Sequence, residues 1–231
     1  MSPIRRRSVA LAVLGGLVLA PALGWGAYAA ATWLRFGRAR TSQGSDPLMQ
    51  RYMPTYDIAE VHRTSVTAPA PVAFDVARMV DLHRSGVVHT IFRAREIMLR
   101  ADPPERPANL PLVTELLSLG WGVLEEVPGR QVVFGAVTQP WQSEVIFRAL
   151  PPSGFAAFDS AGYVKIVVTL AVDSTGPGTS VFRTETRALA TDPASRAKFR
   201  RYWSIFSPGI LLIRTETLAL VKREAERHRK S

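Results

Sequence analysis

The chain reads as an α+β protein in which a curved antiparallel sheet wraps around one long C-terminal helix, with a transmembrane helix at the N-terminus. Three stretches predict this. Between Trp121 and Leu189 apolar residues recur with period two and are broken by turn signals, as in antiparallel hairpins. Between Asp192 and Arg227 the period becomes helical. From Val9 to Leu34 there is no charged residue at all.

The N-terminal run is 26 residues long. At a rise of about 1.5 Å per residue it exceeds a hydrocarbon core of about 30 Å. Trp25, Tyr28 and Trp33 gather at its far end, where amphipathic rings favour the interface, and Arg5–Arg7 and Arg35–Arg40 flank it. A cleaved signal peptide is the competing reading, with Ala27-Tyr28-Ala29 as its small-x-small site. The anchor is preferred because the apolar run continues past Ala29 to Leu34. Residues 1–36 are therefore read as the membrane segment, 37–47 as a flexible linker and 48–231 as the folded domain. Arginine is nearly balanced across the segment, so its orientation rests on the short basic N-terminus. That terminus usually stays inside, which leaves the domain on the extracytoplasmic side of a single-pass membrane protein.

The charge distribution excludes a nucleic-acid binder. The net charge is +10. Residues 1–45 hold six arginines and no acid, and residues 222–231 hold five bases against two acids. The body between them is nearly neutral, with 18 bases and 17 acids. A nucleic-acid binder carries its positive charge on the folded face that meets phosphate. There is no cysteine, hence no disulfide or thiolate metal site.

Along the body, Tyr56–Thr67 has strand character and ends at Ala68-Pro69-Ala70-Pro71. Pro71 opens a short helix through Val80, and Val88, Ile91, Phe92, Arg95, Met98 and Leu99 mark a second. Asp102–Pro111 holds four prolines and is a loop; Leu112–Leu119 is a short helix stopped by Gly120. Gly122–Val127 and Arg130–Thr138 form a hairpin around Pro128-Gly129. Glu144–Leu150 is a further strand candidate, and Phe155–Phe158 fits either a strand or a helical turn. In Gly162–Val172, Val164, Ile166, Val168, Leu170 and Val172 share one face; Tyr163, Lys165, Thr169 and Asp173 share the other. After a Gly/Pro turn, Thr179–Leu189 alternates Phe182, Thr184, Thr186 and Ala188 with Arg183, Glu185 and Arg187.

The last helix is announced by Thr191-Asp192-Pro193, an N-cap acceptor followed by proline at the first helical position. Phe199, Trp203, Phe206, Ile210, Ile213, Thr217 and Leu220 then form a stripe at spacings of 4 and 3. Arg196, Lys198, Arg200, Arg201, Arg214, Glu216, Lys222 and Glu226 fall on the opposite face. Pro208 lies inside the stripe, which predicts a kink or short break at Ser207.

Several local patterns support a family resemblance. They are Tyr56-Asp57, Ala68-Pro69, Gly129-Arg130, Phe155-Ala156-Ala157-Phe158, Gly162-Tyr163-Val164-Lys165, Thr184-Glu185-Thr186-Arg187 and Phe199-Arg200-Arg201-Tyr202-Trp203. With the order of elements, they resemble an uncharacterised bacterial group of the SRPBCC, or START-like, superfamily, over roughly Leu48 to Glu226. The resemblance implies a helix-grip fold, with a cavity between sheet and terminal helix. It implies no activity and no catalytic residues.

The chemistry is sparse. No Gly-rich phosphate loop, HExxH or GxSxG occurs, and no metal site or cofactor is indicated. His62, His83, His89 and His228 are isolated and read as surface or capping residues. Arg183, Glu185 and Arg187 share a strand face away from Phe182 and read as a solvent-facing charge ladder. In the other register Glu185 and Arg187 are the polar end of the cavity, and with Tyr163 they are the only catalytic candidates. Glu125 and Glu126 are adjacent and point to opposite faces, which argues against a paired-carboxylate site. A hydrophobic small molecule or lipid would be held by Phe134, Val168, Leu170, Phe182, Thr184, Trp203 and Phe206. Binding is the first expectation. An assembly partner with a filled core and a cyclase- or hydrolase-like enzyme on an apolar substrate are the alternatives.

Overall fold

The structure, a computed structural model, describes residues 24, 26–32, 36, 40–41, 46–99 and 110–229. Most of the Val9–Leu34 run, most of the linker and the proline-rich stretch up to residue 109 lie outside the described residues; residues 26–32 are helical.

The elements in chain order begin with β1 (Arg40–Thr41), α1 (Pro47–Tyr52), β2 (Thr55–Tyr56), β3 (Ile58–Val66), α2 (Ala70–Met79), α3 (Gly86–Leu99) and α4 (Leu112–Ser118). They continue with β4 (Gly122–Val127), β5 (Gln131–Thr138), β6 (Phe147–Arg148), α5 (Pro152–Phe155), β7 (Val164–Gly176), β8 (Thr179–Ala190) and α6 (Pro193–His228). The large sheet is antiparallel throughout, in the order β3-β8-β7-β5-β4, with β6 continuing the edge of β5 beyond β4. Gly129, at φ 69°, makes the β4–β5 turn. The arrangement is a helix-grip α+β fold.

Period two gives the sheet two faces. On one, Phe134, Leu170 and Phe182 pack against Ala73, Phe74 and Ala77 of α2 and Leu218 and Val221 of α6. On the other, Val133 and Val167 pack with Leu124, Phe155 and Met49, Tyr52 and Met53 of the α1 segment. The sheet is thus covered on both sides.

That third layer corrects the reading of Arg183, Glu185 and Arg187. They do lie on the face away from Phe182, yet they are covered rather than solvated. Arg187 is only 1% exposed. It donates from Nε to Glu185 Oε1 at 2.7 Å and from Nη1 to the carbonyls of Met53 (2.8 Å) and Met49 (3.2 Å). Arg183 donates to Asp46 at 2.9 Å, and Gln131 joins Asp46 (2.7 Å) and Thr169 (3.1 Å). Burial pushes the Asp46 carboxyl upward, but Arg183, the Met49 N–H and Gln131 together hold it below its ordinary value. Asp46 falls in the predicted linker and ties that end of it to the sheet.

Helix α6 is capped by Asp192, which accepts from the Ser195 N–H at 2.9 Å. Of the kink or short break expected at Ser207, the break is absent: the helix runs 36 residues without interruption, although Pro208 removes one backbone donor. Ser207 and Gly209 are both buried, and a Cβ on Gly209 would come within 2.9 Å of Ile91 in α3. Packing on both sides holds the helix across the proline. By length and composition α6 also meets the criterion for a membrane span. Here it lies on the sheet through Phe199, Trp203, Leu218 and Val221.

The buried stripe of α6 differs from the predicted one. Phe206 and Ile213 are half-buried, while Ser207, Val221 and Ala225 are buried. A strict 3.5-residue repeat drifts by about 20° per heptad against a real helix. The buried line runs through Phe199, Trp203, Ser207, Thr217 and Val221, with half-buried Ile210 and Arg214 between them, and the enclosed Nε of Arg214 puts that side chain toward the sheet.

Candidate functional site

Strands β3, β8 and β7 form a floor beneath α6. Register aligns Glu60 with Thr186 and Thr186 with Val168; the next row is His62, Thr184 and Leu170. The floor is polar at the β3 edge and apolar toward the centre. Over its lower end Trp203 packs with Ile58, Val164, Ala188 and Phe199, and Phe36 meets its ring edge-on at 6.2 Å. Thr217, Leu218 and Val221 are buried at the other end.

Two observations set this layer apart. First, Ile166 and Val168 on the helix face of the central strand are only half-buried, while Val167 and Thr169 on its other face are 0% exposed. The middle of a covered sheet is normally its best-packed part. Second, six enclosed side-chain polar atoms have no hydrogen-bond partner among the described residues: His62 Nε2, Thr138 Oγ1, Thr186 Oγ1, Trp203 Nε1, Ser207 Oγ and Arg214 Nε. All six belong to the helix face of the sheet or the inward line of α6. Buried polar groups are paired in the great majority of cases, so such a cluster calls for a reason. The outer layer sets the contrast, because Asp46, Gln131, Thr169, Glu185 and Arg187 are all bonded there.

The charged end of the groove is Glu60, His62 and Arg214. His62 Nε2 lies 3.9 Å from Glu60 Oε2. Burial, helped by the Arg214 charge, pushes the His62 imidazole below its ordinary value and favours the neutral ring. Burial also lowers Arg214 to about 10, opposed by Glu60, so it stays cationic near neutrality. Groups of this kind can orient a polar end of a guest. Among the described residues no cluster of three or more potential ligands could hold a metal ion.

The predicted site residues divide. Phe134, Leu170 and Phe182 sit in the closed core under α2. Val168, Thr184 and Trp203 border the groove. Phe206 is half-buried and lies 4.8 Å from the ring of Tyr202. Glu185 and Arg187 are on the far face of the sheet. Tyr163, just before β7, receives Arg148 Nη1 at 3.3 Å, so the three catalytic candidates do not converge. Glu125 and Glu126 point to opposite faces as read: one pairs with Arg51 of α1, the other with Arg78 of α2. His83 joins Glu115 at 2.8 Å and ties a turn to α4.

Glu60, His62, Thr186, Ser207 and Arg214 were missed from sequence. Alternation in β3 does put Glu60, His62 and Thr64 on the face of Ile58 and Val66, which is the signal that finds them. A separate cleft of about 190 Å³ lies where α2 meets the end of α6, lined by Val76, Met79, Val80, Leu220, Glu224 and His228. None of the unpartnered polar atoms lies there, so the groove has the stronger claim.

No family model matches the chain, and no curated protein matches it. Similar solved structures include a hypothetical protein from Helicobacter pylori, at 7% identity and a TM-score of 0.40, over 80% of this chain and 99% of that one. Another is the di-domain aromatase/cyclase BexL from the BE-7585A biosynthetic pathway, at 17% identity and a TM-score of 0.30. That match covers 73% of this chain and 46% of BexL, so the chain spans about half of it. A third is norcoclaurine synthase from Thalictrum flavum, solved with dopamine and hydroxybenzaldehyde, at 11% identity and a TM-score of 0.25, over 80% and 96%.

Proposed function

We propose that the chain is a membrane-tethered binding protein that holds a hydrophobic small molecule or lipid between α6 and the β3–β8–β7 floor. The carrying observation is the coincidence in one layer of half-open apolar side chains at the sheet centre and all six enclosed, unpartnered polar atoms. An apolar guest would cover Ile166 and Val168, each Å² of contact contributing about 25 cal/mol. Binding of this kind needs no catalytic group. The convergent bonding of Glu185 and Arg187 in the outer layer favours binding over the enzyme reading.

The uncharged run from Val9 to Leu34 supplies the tether. The contact of Phe36 with Trp203 supports placing the lower mouth of the groove beside it. The test is isolation of the full chain with its surrounding membrane in nanodiscs, followed by solvent extraction and identification of what is retained above empty discs. One apolar guest per chain is expected; protein that is consistently empty overturns the reading. Tethering is tested separately: deletion of residues 1–34 is expected to move the domain to the soluble fraction. Protease protection in sealed vesicles tests the extracytoplasmic side.

A further inference from the structure

Resting on the groove as the binding site, we infer that its guest is an uncharged, elongated apolar molecule with hydrogen-bond acceptor oxygens of the carbonyl or ester type toward both ends.

The argument starts from what each orphaned atom can do. Trp203 Nε1 and Arg214 Nε are donors only; neither can be satisfied by a donor on the guest. Ser207, Thr186 and His62 both donate and accept, so they set no such requirement. The two obligate donors therefore demand acceptors. A saturated hydrocarbon would leave both unpaired, and a guest rich in donors would meet them with the wrong polarity.

Spacing gives the shape. Trp203 and Arg214 are on the same inward line of α6, eleven residues apart, which is about 16 Å along the axis. Ser207 lies between them on that line. The floor between is Ile166, Val168 and Thr186, mostly apolar. One compact headgroup does not reach both donors; an extended molecule does.

Charge decides between neutral and anionic acceptors. Arg214 is a cation on the sheet-facing side of α6, and the charge of Glu60 on β3 already opposes it. A second carboxylate would be brought up against Glu60, whose Oε2 is 3.9 Å from His62. Close like charges in a partly desolvated site are unfavourable. A neutral oxygen satisfies Arg214 Nε without that repulsion.

The test uses the full chain in nanodiscs equilibrated with four probes: tridecane, methyl tridecanoate, dimethyl dodecanedioate and dodecanedioate at pH 8. The retained amounts are read by gas chromatography against empty discs. A net hydrogen bond of ordinary strength is worth about fivefold in affinity. The expected order is diester over monoester over alkane, by about that factor at each step, with the diacid below the diester. Trp203→Phe removes the indole donor, and Arg214→Lys removes the Nε–H while keeping a charge opposite Glu60; the first is expected to erase one step of the preference and the second to reduce the other, because the ammonium still donates but from a different position. Equal retention of alkane and esters, a diacid that binds best, or an order unchanged in both variants overturns the inference while leaving the groove as the binding site. Retention of no probe removes the groove reading and the inference together.

Discussion

Arg187 donates from a β8 side chain to the carbonyl of Met53 at 2.8 Å, at the end of a helix that precedes the sheet in the chain. The same guanidinium holds Glu185 at 2.7 Å. One buried cation thus joins the α1 segment to the outer face of the sheet and pairs with the Glu185 carboxylate. Removing one member of a buried pair strands the other charge, which costs about 3 kcal/mol or more. Arg187→Met is expected to lower stability by about that amount. Glu185→Met/Arg187→Met is expected to recover most of it, because both charges leave together. Urea unfolding of the two variants checks this, and guest retention in the folded protein should be unchanged because the pair is on the face away from the groove.

Gly135 sits in the middle of β5 under Phe155 and Leu124. A Cβ built there would come within 2.6 Å of Leu124 Cδ1 and 2.8 Å of Phe155 Cε2. Both neighbours are buried, so neither moves freely. Gly135→Ala is expected to destabilise the domain by about 1–3 kcal/mol through overpacking, despite alanine's better strand propensity. The measurement is the denaturation midpoint, with Gly178→Ala as the comparison, since nothing lies within 4 Å of a Cβ there.

The strands and helices were legible because each carries its own period. Val164, Ile166, Val168, Leu170 and Val172 mark one face of β7 at a spacing of two, and the Asp192-Pro193 cap starts α6 where expected. What was not legible depends on elements far apart in sequence. Nothing in Arg183-Thr184-Glu185-Thr186-Arg187 reveals that Asp46, Met49 and Met53 cover it, some 130 residues earlier. Arg214 was assigned to the solvent face because its charge fits there and the stripe was read with a 3.5-residue period. The true 3.6-residue turn carries the inward line from Trp203 through Ser207 to Arg214. The break at Ser207 was argued from proline alone, and packing of Gly209 on Ile91 outweighs it.

His62 gives the groove a pH signature. Burial and the Arg214 charge lower its pKa in the folded state, so between the folded value and the ordinary 6.5 the unfolded chain binds the extra proton. The facing charged groups are Glu60 beside it on β3 and Arg214 on α6. Stability is therefore expected to fall as pH drops below about 6.5 and to level off below the folded pKa. His62→Gln cannot charge and should lose this part of the slope. Melting temperatures at pH 7.5 and 5.5 for both proteins check it; an identical loss in the two would place the acid sensitivity elsewhere.

Ser207 tests whether the unpartnered atoms belong to the guest or to the fold. Its hydroxyl is enclosed, with no partner among the described residues, on a serine only 1% exposed. A buried hydroxyl without a hydrogen bond costs about 1–3 kcal/mol, and alanine is the better helix former. In protein stripped of guest, Ser207→Ala is therefore expected to raise stability by about 1 kcal/mol. A purely structural serine would give the reverse, since its removal would break a contact the fold relies on. If the hydroxyl meets a guest oxygen, the same variant should bind methyl tridecanoate less tightly while growing more stable without it. The two effects pull the melting temperature in opposite directions. The variant should melt above the parent when empty, and the margin should shrink or reverse when the ester is present. Calorimetry with and without the ester measures both.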